Sequence, residues 1–397
     1  MENWRMFVDF LMISGMALLF LISVFLLKSK TDLSKKILIL FFINAFFFLL
    51  YYYAFIHRAK ILGGIAFLFG NGTGYLLGPA LLFYLKALVQ PKGKKITAFA
   101  KHLIPFTASF ILISIPVAYS IISEEITNYG KAYARIADYL NLIENAFFIV
   151  YILLSLKLLK RIQKACENHY SSLEKTNLNW FGVLVFGLLT IIILDSIFSV
   201  YELFSPVYSW NIGTIIAFTF IVLYSILGYK GMFQSKILLP DFLATEPESG
   251  TAVTFLESDS KKVYTGRLDG LSSTEIDKLV QKLHIILEQK KPYLSDSLSL
   301  TELADEMGIN NKELSELLNK HLNTSFYNLI NTYRVNEFKD KIKLSDNKKY
   351  TLIGLAYECG FPSKASFNRV FKKQTGMAPS KYKILHEKTL NKKTHVS

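Results

Sequence analysis

Two stretches near the carboxyl end of the chain carry side chains whose spacing is suited to molecular recognition. In the second of them, Ser363–Lys373, the apolar residues Phe367, Val370 and Phe371 recur at helical spacing and predict a buried stripe. The rest of that helix carries small, amide or cationic side chains, namely Lys364, Ala365, Asn368, Arg369 and Lys372. Amides and cations on one helix face can bond to base edges and phosphates, so this face is predicted to enter the major groove of double-stranded DNA.

The residues before this helix predict a helix-turn-helix. A short helix over 355–359 ends at Gly360, and Ser363 is the predicted N-cap of the next helix. A similar order occurs some fifty residues earlier, where a helix over 303–307 precedes Gly308 and a second apolar stripe. Both glycines are expected to take the positive φ of a tight turn. Two such units in tandem, joined by a helical segment, form a specific pattern.

The first unit has its own candidate contacts, because Lys312, Ser315 and Asn319 are predicted on the exposed face of its second helix. Two capping boxes are predicted at its helix starts, Ser299 with Glu302 and Asn310 with Glu313. Residues 361–397 carry nine basic residues against one acid, whereas residues 293–340 carry four basic residues against eight acids. The second unit is therefore expected to attract phosphate more strongly.

The same residues resemble the AraC/XylS family of transcription regulators over about the last quarter of the chain. The resemblance is carried by Thr351–Ala356, Gly360-Phe361, Ser366–Lys373, Thr375-Gly376 and Pro379–Tyr382. It implies two recognition helices in successive major grooves of one DNA site, with contacts at the positions named above. Glu316 departs from the basic or neutral residue often found at its place in the family. This acid either accepts a hydrogen bond from a cytosine amino group or marks a weakly binding unit.

The composition of the whole chain predicts a membrane protein with an appended polar domain. Of its 397 residues 51% are hydrophobic, and the formal net charge is +14. Seven stretches are long enough to span a bilayer as helices, near 6–27, 37–56, 68–89, 102–122, 139–160, 180–204 and 207–229. The two cysteines, Cys166 and Cys359, indicate no disulfide framework, and no metal-ligand spacing or cofactor motif is present, so no cofactor is expected.

The basic residues between these stretches predict the orientation. Fourteen basic residues flank one side of the seven predicted spans and five flank the other. The positive-inside rule then places the N-terminus outside and residues 230–397 in the cytoplasm, where DNA is present. The predicted location is the inner (cytoplasmic) membrane, crossed several times, with the lipid bilayer as one partner.

Two acids lie inside predicted spans. Asp195 is in the middle of an apolar run, and Glu144 is inside the fifth span. Charged groups at such depth are costly and are functional candidates by default, here for binding a signal ligand of unknown identity. The alternative is an interhelical hydrogen bond or a protonated carboxyl group that only fixes the packing.

The expected fold is all-α, a seven-helix transmembrane bundle followed by a cytoplasmic helical DNA-binding domain. The predicted domains are a sensor over 1–235, a linker and connecting helix over 236–290, and a tandem helix-turn-helix domain over 291–390. A short strand is expected near 253–256. Ser273–Gln289 has the spacing of an amphipathic helix, which either packs on the DNA-binding domain or acts as a lever or dimerising helix.

These patterns favour a membrane-embedded one-component transcription regulator that senses a signal, binds DNA, has no catalytic activity and is a candidate homodimer. One alternative is a membrane transporter or enzyme with an appended regulatory domain, in which Asp195 and Glu144 would do the chemistry. Another is an adaptor whose helical bundle binds protein. Its charged residues would then form solvated faces, as charge runs usually do, and would not contact DNA. That adaptor does not explain two helix-turn-helix units in register.

Overall fold

The structure is a computed structural model of the chain. It describes residues 2–28, 33–89, 99–123, 128–173, 178–204, 210–233, 268, 270–344 and 351–385. The described residues are helical apart from turns and one isolated β-bridge, which confirms the all-α prediction. The strand expected near 253–256 lies outside the described residues. The chain divides into two compact units.

The first unit consists of long apolar helices together with shorter ones. Its helices are α1 (Glu2–Lys28), α2 (Leu33–Ile56), α3 (Lys60–Gly70), α4 (Thr73–Val89), α5 (Phe99–His102), α6 (Ile104–Ser109), α7 (Ile115–Ile122), α8 (Asn128–His169), α9 (Asn179–Phe204) and α10 (Trp210–Phe233). A π-helical turn over Phe110–Ser114 joins α6 to α7. Helix α2 packs against α1, α3, α4 and α10, so it lies at the centre of this unit.

Six stretches of these helices are long and apolar enough to cross a membrane, and they overlap the first six predicted spans. They are Met6–Lys28, Leu33–Ile56, Lys60–Val89, Ile104–Ile122, Tyr129–His169 and Asn179–Tyr201. The third is broken by a turn at Gly72, which has φ +73°. The seventh prediction coincides with α10, and half of the side chains of this helix lie outside the described part of the chain.

The second unit contains the carboxyl-terminal helices and the end of α8. Its own helices are α11 (Ser273–Gln289), α12 (Leu300–Met307), α13 (Asn311–Glu316), α14 (Phe326–Leu344), α15 (Leu352–Glu358) and α16 (Lys364–Thr375). A 3₁₀ turn over Pro292–Leu294 follows α11, and a π-helical turn over Leu317–His321 extends α13. Residues 162–173 belong to this unit, so α8 contributes its first 34 residues, Asn128–Arg161, to the first unit and its last turns to the second.

Two hydrophobic cores stabilise the second unit, and α14 contributes to both. Its first half places Phe326 and Ile330 in the core that contains α12 and α13. Its second half places Val335 and Phe338 in the core that contains α15 and α16. Both cores are made of side chains with almost no exposed surface, so each helix-turn-helix has its own apolar centre around one shared helix.

Helix α11 packs into the first of these cores. Its buried residues Leu283, Ile286 and Leu287 lie at helical spacing on one face. Ser272 begins the helix with a capping box to Glu275, which a Ser-x-x-Glu pattern favours. The connecting helix predicted from the sequence is therefore observed and lies against the helix-turn-helix residues.

Candidate nucleic-acid interface

The first helix-turn-helix is formed by α12 and α13, and both starts are capped as predicted. Ser299 accepts from the backbone N–H of Glu302, and Asn310 accepts from that of Glu313, each in a complete capping box. Between the helices Gly308 has φ +66°, a conformation that suits glycine. These local signals fix where both helices begin and therefore which face of α13 is exposed.

The residues of the first helix-turn-helix that are predicted to contact DNA lie on that exposed face. Lys312 and Asn319 are exposed, and Ser315 is half-buried between them. The Asn319 amide donates to the Ser315 carbonyl oxygen at 2.8 Å. Glu316 is bound by Lys320 at 2.8 Å, one helical turn away, so this acid has a partner within its own helix. The pairing reduces the negative charge that Glu316 presents to a phosphate backbone.

The second helix-turn-helix follows the same plan. Thr351 caps α15, Ser363 caps α16 by accepting from the N–H of Ser366, and Gly360 between them has φ +84°. Phe367, Val370 and Phe371 are buried as one stripe, as predicted from their spacing. Burial also raises the pKa of the Cys359 thiol to about 12, so this residue behaves as a small apolar side chain rather than a nucleophile.

The exposed face of α16, in the second helix-turn-helix, carries the other residues predicted to contact DNA. All five are exposed: Lys364, Ala365, Asn368, Arg369 and Lys372. They lie on α16 away from the Phe367 stripe, and they begin at its first residue, the end that a recognition helix inserts into a groove. An exposed amide flanked by cations can donate to both base edges and phosphate oxygens.

One of the four basic residues in 293–340 has a role that its sequence position did not reveal. Arg334 is fully buried in α14, and burial lowers its pKa to about 10. Its Nε donates to the Tyr293 carbonyl oxygen at 2.7 Å, and Nη2 donates to that of Ser295 at 2.6 Å. This cation stabilises the turn before α12 and is not available to DNA.

The compact unit that contains the long apolar helices has a second candidate site, a cavity of about 290 Å³. Glu144 of α8 and Asp195 of α9 both line it, so the fold brings the two predicted acids to one place. Aromatic side chains form much of the rest of the wall, including Tyr51, Phe67 and Tyr133. Among the described residues that line the cavity there is no lysine, arginine or histidine.

Two asparagines of α8 complete this cavity and were not identified from the sequence. The amide of Asn141 donates to Asp195 Oδ2 at 2.9 Å, and that of Asn145 donates to the same oxygen at 2.8 Å. Glu144 Oε1 accepts from the backbone N–H of Gly74 at 2.6 Å. The spacing of Asn141 and Asn145, one helical turn apart beside Glu144, is the signal that could have indicated them.

Comparison with known proteins supports the carboxyl-terminal part of this description. Residues 303–383 match the model of a helix-turn-helix domain family. The chain is 29% identical over 102 residues to uncharacterized HTH-type transcriptional regulators of Staphylococcus aureus strains COL, MSSA476 and N315. The match covers 26% of this chain and 13% of each relative, so the chain spans about an eighth of the relatives' length. No solved structure matches the chain.

Proposed function

We propose that the chain is a membrane-embedded one-component transcription regulator that binds double-stranded DNA through both helix-turn-helix units. The observation that carries this proposal is the presence, on one chain, of six long apolar helices and two helix-turn-helix units with amide and cationic side chains on the exposed faces of their second helices. The similarity of residues 303–383 to a helix-turn-helix family supports the DNA-binding part. The mechanism requires no catalytic step.

The proposed DNA contacts are shared between two grooves. Lys312, Ser315 and Asn319 of the first helix-turn-helix contact one major groove, and α16 contacts the next with the five exposed residues named above. The two contacted patches lie about 34–36 Å apart on one face of the duplex. The test is selection of duplexes from a random pool by the full chain in lipid nanodiscs, followed by footprinting. Two protected patches are expected, and a single short patch would contradict binding by both units.

The same proposal assigns signal binding to the cavity between α8 and α9. Its two carboxylates and two asparagine amides converge within a wall of aromatic side chains, an arrangement typical of small-molecule pockets. A signal that binds one arrangement of the helices more tightly than another shifts the population towards it. That shift would change the pairing or spacing of DNA-binding domains in a homodimer.

Substitution of the two acids tests this assignment in cells. Asp195→Asn and Glu144→Gln keep the shape of each side chain and remove its charge, so each is expected to change expression of a reporter gene placed under a selected duplex. Asp138→Asn is the matched control, because Asp138 lies on α8 but does not line the cavity. If all three variants respond like the unmodified chain while remaining in the membrane, the cavity is not the signal site.

A further inference from the structure

The segment that follows α8 is bound to the helix-turn-helix residues by a compact set of hydrogen bonds. Ser171 is 2% exposed, and its hydroxyl donates to the Leu298 carbonyl oxygen at 2.6 Å. Its backbone N–H donates to the same oxygen at 3.3 Å. The preceding residue, Tyr170, forms an antiparallel β-bridge with Ser299, the N-cap of α12. The segment is therefore fixed at the start of the first helix-turn-helix.

The same segment is also bound to α14, the helix that both helix-turn-helix units share. The carbonyl oxygen of Ser171 accepts from Arg334 Nη1 at 3.0 Å and from the Asn331 amide at 3.1 Å. The Ser171 hydroxyl accepts from Arg334 Nη2 at 3.2 Å. Arg334 and Asn331 are both buried in α14, so departure of the segment removes their bonds to Ser171 and leaves part of their hydrogen-bonding capacity unsatisfied unless water replaces it.

A third contact joins the segment to the second helix-turn-helix. The side chain of Leu173 packs against the hydrophobic core formed by α15, α16 and the second half of α14. Within four residues the segment thus contacts the first helix-turn-helix, the shared helix and the second core. It starts at the residue after α8 ends, and α8 is one continuous helix that also carries Asn141, Glu144 and Asn145 of the cavity.

We propose that residues 170–173 form a regulatory bracket, an intramolecular ligand of the DNA-binding unit that holds the two helix-turn-helix units in one relative orientation. Displacement of the end of α8 loosens this orientation. Because the two helix-turn-helix units are linked binding modules, loosening lowers the affinity for a DNA site that engages both of them. The affinity of one helix-turn-helix for a single groove stays unchanged. The bracket is thus the route by which the membrane helices act on DNA binding, and this last step rests on the proposed function.

The test uses the full chain in nanodiscs and changes only the bracket. The variant Ser171→Ala with Leu173→Ala removes the hydroxyl bonds and the apolar contact while leaving residues 256–397 intact. Ser172→Ala, at the half-exposed neighbour, is the control. Spin labels on Asp305→Cys and Lys381→Cys, both exposed positions, report the distance between the units, while the native cysteines are buried. The distance distribution is expected to broaden in the bracket variant and to stay narrow in the control.

Binding is then measured on a selected duplex and on the same duplex with one footprinted patch scrambled. The bracket variant is expected to lose about tenfold or more on the intact duplex and to bind the scrambled one within about twofold of the unmodified chain. An unchanged distance distribution, or unchanged or tighter binding to the intact duplex, overturns the proposal. Equal losses on both duplexes also overturn it, because they show a general structural role. Failure of the unmodified chain to select any duplex would count against the proposed function, and the distance measurement would still decide the bracket.

Discussion

At the scale of single residues, helix α16 separates side chains that are buried in the core from side chains that face outward. Phe367 is 1% exposed and packs on Phe338 and Phe371 with ring centroids 4.6 and 5.6 Å apart. Asn368 and Arg369, its neighbours in sequence, are exposed. Substitution at adjacent positions can therefore distinguish loss of folding from loss of recognition.

We expect Asn368→Ala and Arg369→Ala to weaken binding to a selected duplex by roughly 1–3 kcal/mol and to relax the preference at one base pair, because each would remove a base-edge contact. Competition binding with duplexes that vary one base pair at a time measures both effects. Variants that fold normally and keep the full sequence preference would show that this helix does not read bases.

Phe367→Ala provides the contrasting case. The cavity it leaves is expected to destabilise the second helix-turn-helix by roughly 3–5 kcal/mol, so binding is lost on every sequence alike. Hydrogen exchange of the α16 amides in the full chain would show this opening directly. Slow exchange in this variant would mean that the aromatic cluster around Phe338 closes over the space.

At the scale of helices and turns, the caps and glycines of the two units were predictable because their signals are local. A Ser-x-x-Glu pattern, a glycine between two apolar stripes and a Ser before a helix each act within a few residues, and Ser299, Gly308 and Ser363 have the predicted roles. The contacts of Ser171 were not predictable in this way. Ser171 meets Arg334, which is 163 residues away in sequence, and no periodicity connects such positions.

The turn at Gly360 in the second helix-turn-helix offers a prediction with an internal control. A Cβ at Gly360 would lie 2.9 Å from the Leu294 carbonyl oxygen and in clash with that of Tyr293, whereas a Cβ at Gly376 would meet nothing within 4 Å. Both glycines have positive φ, so Gly376→Ala is expected to cost roughly 1–2 kcal/mol through backbone strain alone.

Gly360→Ala adds a backbone clash to that strain and is expected to destabilise the unit by more. The comparison is made by hydrogen exchange of the α15 and α16 amides in both full-length variants. Similar exchange rates in the two variants would indicate that the turn over Pro292–Leu294 moves away from the added methyl group.

At the scale of the whole molecule, hydropathy predicted the long apolar helices because it depends on composition over many residues, and the repeated spacing of apolar residues and glycines predicted the tandem helix-turn-helix. The detail of the cavity was harder to predict. Asp195 and Glu144 were identified as buried charges, whereas Asn141 and Asn145 are unremarkable polar residues in the sequence. Their spacing places both amides on one face of α8, but the group that they bind follows from the proximity of α8 and α9, which brings both amides to Asp195 Oδ2.

The orientation of the chain remains a prediction from its basic residues and can be tested with fusions. A reporter enzyme that is active only in the cytoplasm is expected to work when fused after Ser397 and to fail when inserted near Tyr129, because the positive-inside rule places these positions on opposite sides. A second reporter that is active only outside the cytoplasm serves as the control and should give the reverse pattern. Activity of the cytoplasmic reporter near Tyr129 and not after Ser397 would contradict the proposed access to DNA.

The burial of Arg334 also bears on how salt acts on this protein. Each phosphate that a protein cation neutralises releases condensed counterions, and the logarithm of affinity falls by about 0.9 per neutralised phosphate for each unit of log salt concentration. In the first helix-turn-helix region Arg334 is inside the core, Lys320 is paired with Glu316, and Lys291 is paired with Glu337. On the proposed function, few counterions are expected to be released there beyond any at Lys312, and ionic strength is expected to act on DNA binding mainly through the basic residues of α16.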